Sequence, residues 1–192
     1  PLDCLWVEKS ENRKEEYMYD IRGLYSDPAD QDNYIIVKSK RIQHYEYEDS
    51  LKCLVKNIPD GSLNIIDAGS DILINGESFE TYFPRPNDNG FPSGSYNTNY
   101  TEVCNNDTLL FKNDVVIIKY CQIDEPSLKF WRGLRRQTGT NGNPFAEPLN
   151  LVSNINNGLG IFTGYGSVYY KIPIIDGTII KTKYKAKILD IF

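Results

Sequence analysis

Asp27, Asp30 and Asp32 fall close together in SDPADQDN. Three carboxylates at this spacing suit a hard cation such as Ca²⁺, which takes oxygen ligands. The run lacks the glycine and the distal glutamate of an EF-hand loop, and Pro28 interrupts it. It therefore reads as an interstrand turn, and no metal is assigned. His44 is the single histidine. A hydrolytic triad would need a Ser or Cys nucleophile and an orienting carboxylate beside it. No G-x-S-x-G elbow is present, so His44 reads as a partly exposed strand residue. Glycoside hydrolysis needs two facing carboxyl groups. Glu46, Glu48, Asp49, Glu77 and Glu80 are available, but nothing in their spacing selects two, and solvated charge is the default for such residues. No catalytic residue and no cofactor are assigned, and the chain reads as non-enzymatic.

Aromatic residues in polar text are the stronger signal. Tyr82, Phe83, Phe91, Tyr96 and Tyr100 lie in or beside Asn- and Gly-rich stretches. Ring faces flanked by Asn and Asp suit stacking on sugar rings, which makes these five the candidate ligand-binding residues. The competing expectation is that they pin long loops down as small apolar clusters.

The four cysteines, Cys4, Cys53, Cys104 and Cys121, form no C-x-x-C pair, which disfavours structural zinc. Cys4 and Cys121 sit in strand-like runs and read as small buried apolar residues. If any pair is oxidised, the irregular settings of Cys53 and Cys104 make them the choice.

These residues need elements to hold them. The 192 residues suit a single domain. With 14 Tyr, 8 Phe, 2 Trp and one Met, the apolar runs are aromatic and β-branched, as strands require. A net charge of −5 with no dense basic stripe gives nucleic-acid binding no support. No apolar run is long enough to span a membrane. A chain that begins at Pro1 reads as a fragment whose targeting signal lay upstream.

Strands are expected at LDCLWVEK, at EEYMYDIRGLYSD and at NYIIVKSKR, the last continuing into or pairing with IQHYEYED. In the second of these, Tyr17, Tyr19, Ile21 and Tyr25 share one face, while Asp20 and Arg22 point the other way. Residues 49–107 read as a loop-rich insertion with short strands at DILING and SFETYFPR. In TLLFKNDVVIIKYCQID a turn at residues 112–114 feeds a β-branched strand. One helix is expected over 124–137, capped by Asp124 or Glu125, with Pro126 in its first turn and Leu128, Trp131 and Leu134 as its apolar stripe. That stripe should cover an end or edge of the fold. The tail SVYYKIPII-DG-TIIKTKYKAKILDIF reads as two strands around an Asp-Gly turn, the second an edge strand protected by lysines. The whole is an antiparallel β-sandwich, immunoglobulin- or fibronectin-like, with one inserted helix.

The runs PLDCLWVE, YDIRGLYSDPADQDNYIIV, FKNDVVIIKYCQIDEPSLKFWRGLRRQ and NPFAEPLNLVSNINNGLGIFTGYG together resemble the family called domain of unknown function 4249, lipoproteins of Bacteroidetes envelopes. The resemblance covers most of the chain between Pro1 and about Pro173, but not the loose middle or the tail after Pro173. It implies an envelope address at the outer membrane, on its periplasmic or outer surface, beside TonB-dependent transport systems. It also implies an N-terminal β-domain with a lipidated cysteine ahead of this region, through which alone the chain would meet the membrane. It implies no reaction. The expected partner is a glycan, a peptide or an outer-membrane transport protein, and the expected state is a monomer. The alternative is a hydrolase acting on a glycan polymer through loop carboxylates.

Residues 143–166 combine Asn, Gly and Pro with large apolar side chains. The expectation is a crossing segment buried in the sandwich, with Phe145, Leu149, Leu151, Ile155, Leu159, Ile161 and Phe162 turned inward. Asn154 should be held by the backbone of the crossing.

Overall fold

The β-branched and aromatic runs pair into two antiparallel sheets. The computed structural model describes residues 2–11, 18–29, 31–49, 52–59, 63–85, 94–97, 100–104, 107–139, 150–175 and 177–181, without side chains at 43–49, 52–59, 97, 100–104, 107–114, 138–139 and 181. The strands are β1 (Cys4–Lys9), β2 (Met18–Ser26), β3 (Tyr34–Asp49), β4 (Lys52–Pro59), β5 (Asn64–Ser70), β6 (Ser78–Phe83), β7 (Tyr96–Asn97), β8 (Tyr100–Cys104), β9 (Asp107–Ile123), β10 (Gly166–Pro173) and β11 (Ile179–Lys181); helix α1 spans Glu125–Gly139. One sheet runs β11–β1–β2–β6, with β7 also on β2. The other runs β10–β9–β3–β4, with β5 on β3 and β8 on β9. The two sheets face each other as a β-sandwich.

The core follows from period-two alternation. Leu5, Val7, Ile21 and Tyr25 from the first sheet meet Val37, Val116, Ile118 and Ile172 from the second. The neighbouring residues Ile36, Cys121 and Ile123 turn to the opposite face of the second sheet, where Leu128 and Trp131 of α1 pack on them. The helix therefore packs on the outer face of the second sheet, where it reaches the edge strand β5: Arg132 Nε donates to the Ala68 carbonyl at 3.0 Å. A second apolar cluster on that face draws it there. Its start is as expected: Asp124 Oδ1 accepts the Ser127 N–H at 2.8 Å, a side-chain cap on the first turn.

Three elements differ from the sequence reading. The described residues of 49–107 include β4 to β8, so strands occupy much of what reads as loop. Within it, SFETYF is β6, whereas DILING forms a turn with Gly76 at φ 84°. No turn breaks residues 112–114: β9 is one 17-residue strand along the 16-residue β3, and the expected turn is reduced to a shift of register between the Ile42–Val115 and His44–Lys112 pairs. The strands on either side of the Asp-Gly pair do not make a hairpin: β10 pairs with β9 in one sheet and β11 with β1 in the other.

Candidate functional site

Two of the five candidate aromatics belong to the core. Phe83 is 1 % exposed and Tyr96 is fully buried, so neither ring can meet a ligand. Tyr96 donates its hydroxyl to the Pro84 carbonyl at 3.2 Å, and burial pushes its pKa up. The Gly- and Asn-rich flanks obscured how these residues are held: Phe83 ends β6 and Tyr96 starts β7, both paired to β2. Tyr82, the neighbour of Phe83 on β6, points outward and is partly exposed. Phe91 and the Tyr100 side chain lie outside the described residues. Among the described side chains of this set, Tyr82 is the one that reaches the surface.

The aspartates do not gather around a cation site. Asp27 is buried, and its Oδ1 accepts the Tyr25 hydroxyl and the Asn33 amide, both at 3.0 Å. Its Oδ2 accepts the Gly76 N–H at 3.0 Å. Asp71, also buried, accepts the Asn33 N–H at 2.8 Å. Asp32 lies at the surface beside Asn75, and Asp30 is outside the described residues. Asp27 is thus a structural knot between β2, β3 and the turn at 71–76. Among the described residues no three metal-ligating side chains converge. Asp20 turns away from the core as expected but is buried, beside the Tyr82 hydroxyl. The side chains of His44, Glu46, Glu48 and Asp49 are not described; Glu77 is exposed, and Glu80 pairs with Arg22 at 2.8 Å. A cavity of about 130 Å³ opens between the sheets beside Asp71, Tyr25 and Tyr120. It is smaller than the few hundred Å³ typical of a small-molecule site.

Cys4 and Cys121 are free thiols, and burial pushes the Cys121 pKa up, which keeps it unreactive. The register sets Cys53 and Cys104 three strands apart, on β4 and β8 with β3 and β9 between. That is roughly 14 Å at ordinary strand spacing, too far for a disulfide.

The feature that sequence reading missed is the outer face of the second sheet beside the helix. Residues directly opposite in a ladder point to the same side. One row is Lys38, Lys119 and Tyr169; the next is Lys40, Ile117 and Lys171. No acidic side chain stands in either row. Lys38 and Lys119 are direct cross-strand partners, an arrangement that like charges disfavour. Aromatic rings hold them there. The Lys38 ammonium lies 5.0 Å from the Trp131 ring centroid and 5.9 Å from that of Tyr165. The Lys119 ammonium lies 4.9 Å from Tyr165 and 5.0 Å from Tyr169. Such contacts favour the cation. Burial works to lower the Lys119 pKa, but the hydrogen bond with Tyr169 and the neighbouring Tyr and Cys groups raise it above the usual lysine value. The first sheet is built differently: on its outer face Arg22 is paired with both Glu8 and Glu80.

The described part of the stretch at 143–166 runs across this same face, and it is not buried. Leu159 is 92 % and Phe162 86 % exposed, with Val152, Ile155 and Tyr165 also at the surface. Phe145 and Leu149 lie outside the described residues. The burial expectation fails because α1 already covers the sheet where the segment crosses. The segment docks on the helix instead: Ser127 Oγ donates to Thr163 Oγ1 at 2.7 Å, and Leu151 sits against Gly133. The backbone tie expected of Asn154 is present. Its Oδ1 accepts the Phe162 N–H and its Nδ2 donates to the Phe162 carbonyl, both at 2.7 Å. Asn157 at φ 57° and Gly160 at φ 127° turn the chain between these bonds.

A family model described as a domain of unknown function (DUF4249) matches residues 1–170. The chain belongs to the DUF4249 family. The match takes in every residue of the lysine–aromatic face except Lys171, and all of the exposed segment. No curated protein and no solved structure matches the chain. Among the described residues of this DUF4249 chain, no helix is long and apolar enough to cross a membrane.

Proposed function

We propose that this DUF4249 chain is a non-enzymatic binding module of the cell envelope, and that the outer face of β3, β9 and β10 is its binding face. The observation that carries this reading is the Lys38–Lys119 pair. Two like charges are kept opposite each other by three rings, with no acid in the row, in a chain of net charge −5. A face held positive in this way suits an anionic partner: an acidic glycan, an acidic peptide, or such a segment of an outer-membrane transport protein. The envelope setting rests on the family resemblance. A hydrolase would need two carboxyls facing each other across a cleft. Among the described residues, Asp27 and Asp71 are buried and bonded to their own turn, and Glu8 and Glu80 are both tied to Arg22, so neither pair favours that alternative.

The test uses polygalacturonate, a glutamate-rich peptide and neutral dextran as probes. The two acidic probes should bind in a salt-sensitive manner, and K38Q/K119Q should weaken them about twentyfold, roughly fivefold per lysine. Equal binding of dextran, or indifference to the double substitution, would overturn the reading.

A further inference from the structure

We propose that this face docks on an anionic bilayer, with Leu159 and Phe162 entering the acyl layer while Lys38, Lys40, Lys119 and Lys171 meet headgroup phosphates. The inference rests on the binding reading above and names the partner at that face.

The first support is the chemistry of the segment. From residue 148 to residue 170 the sequence carries no charged side chain, in a chain where 24 % of residues are charged. Leu159 and Phe162 are the two most exposed apolar residues within it. Val152, Ile155 and Tyr165 of the same segment are exposed beside them, and apolar side chains grouped at a surface mark an interaction site. Its form then bears on the partner. Leu159 stands between Gly158 and Gly160, on a turn whose base is closed by the Asn154–Phe162 bonds. This is a fixed projection. A protein partner must present a matching groove to bury a projection, whereas an acyl layer accepts any shape.

The second support is the layering around it. Tyr165, Tyr169 and Trp131 neighbour the segment, and such amphipathic rings favour the headgroup level. Lys38 and Lys119 stand over those rings. They are compact point charges, suited to mobile phosphates more than to one planar, bidentate acid. Lys40 and Lys171 flank buried Ile117 in the next row of the same face. The remainder of an acidic molecule is repelled by an anionic surface, which leaves this face as the one that approaches.

Flotation of the 192-residue chain with vesicles tests the proposal. Vesicles of equimolar phosphatidylglycerol and phosphatidylcholine should carry the protein, and phosphatidylcholine vesicles should not. L159S/F162S should lower the partition at least about tenfold, and K38Q/K119Q about twentyfold with a flatter salt dependence. F162W should show a blue-shifted emission that brominated acyl chains quench. Ile72 and Leu73, on the turn after β5, are also exposed; L73S should leave the partition unchanged. Unfolding midpoints near wild type for all variants show that the losses are not losses of fold. Absence of binding to the anionic vesicles overturns the proposal. So does a loss seen with L73S but not with L159S/F162S. If vesicles fail while polygalacturonate still binds through Lys38 and Lys119, the binding face stands and its lipid partner falls. If both fail, both readings fall.

Discussion

Asn154 and Asp27 both hold turns, but at different depths, and depth sets what each is worth. The two Asn154 bonds to Phe162 lie at the surface, where water can replace them. Asn154→Ala should therefore cost under about 1 kcal/mol of global stability. Hydrogen exchange at the Phe162 amide should become much faster, because the turn opens locally. A global loss above about 2 kcal/mol would mean that the segment supports the core after all. That Asn154 closes a turn was legible from its Asn–Gly surroundings. Which way Leu159 and Phe162 point was not, because apolar residues without a 2.0 or 3.6 period define no face. Asp27 is different. Burial acts to raise its pKa, yet the Gly76 N–H and the Asp71, Tyr25 and Asn33 side chains together hold it below the ordinary carboxylate value. The unfolded chain then binds that proton more readily than the folded one. The stabilisation is complete at neutral pH and is lost as pH falls below the ordinary value and through the folded one. Asp27→Asn should cost about 2–3 kcal/mol at neutral pH, since an amide cannot accept from Gly76, Tyr25 and Asn33 together. It should also flatten the acid limb of the stability curve, and an unchanged limb would place the acid sensitivity elsewhere.

Among the elements, α1 was the most legible and its docking the least. A capping Asp, an early Pro and a stripe at helical spacing are local signals, and all of them lie within residues 124–134. The surface that receives the stripe is assembled from Ile36, Cys121 and Ile123, on strands 85 or more residues apart in sequence. The same limit explains β9: its middle residues look like a turn in isolation, but the strand runs through them with only a shift of register against β3 between the Ile42–Val115 and His44–Lys112 pairs. The helix contacts rank its side chains. Leu128 is buried between helix and sheet, while Trp131 is half-buried and shares its ring with Lys38. Leu128→Ala should cost about 2–4 kcal/mol. Trp131→Ala should cost less than Leu128→Ala, and should also weaken binding at the lysine face by releasing Lys38. Thermal or urea unfolding orders the two costs, and the reverse order would mean that the helix sits on its other side.

At the scale of the whole molecule, the two ends of the described chain close one sheet. β1 lies between β2 and β11, so the last described strand covers an edge of the first. The Val7 N–H donates to the Thr178 carbonyl at 2.9 Å, and Leu5 and Trp6 pair with Ile180 and Ile179. The Leu2 N–H donates to the Tyr170 hydroxyl at 3.0 Å, which ties the first residues to β10 in the opposite sheet. The start of the expected lysine-rich strand, Ile179–Lys181, is an edge strand, and the rest of it lies outside the described residues; its partner was not legible, because that partner is some 175 residues upstream by register. The family match stops at residue 170, ahead of this closure. A chain cut after residue 173 would keep β1 to β10 yet lose Ile174, which is fully buried, and Ile180, which packs on the core. Loss of the Ile174 side chain alone is worth about 2–5 kcal/mol, against a total of about 5–15 kcal/mol for a typical domain. The bared side of β1 would also become an unpaired edge, open to pairing with another copy. The truncated chain should therefore unfold at a much lower urea concentration than the full chain, and should aggregate on concentration where the full chain does not. An unchanged midpoint, with a monomeric profile in size-exclusion chromatography, would mean that the sandwich is complete without β11 and that the matched region folds by itself.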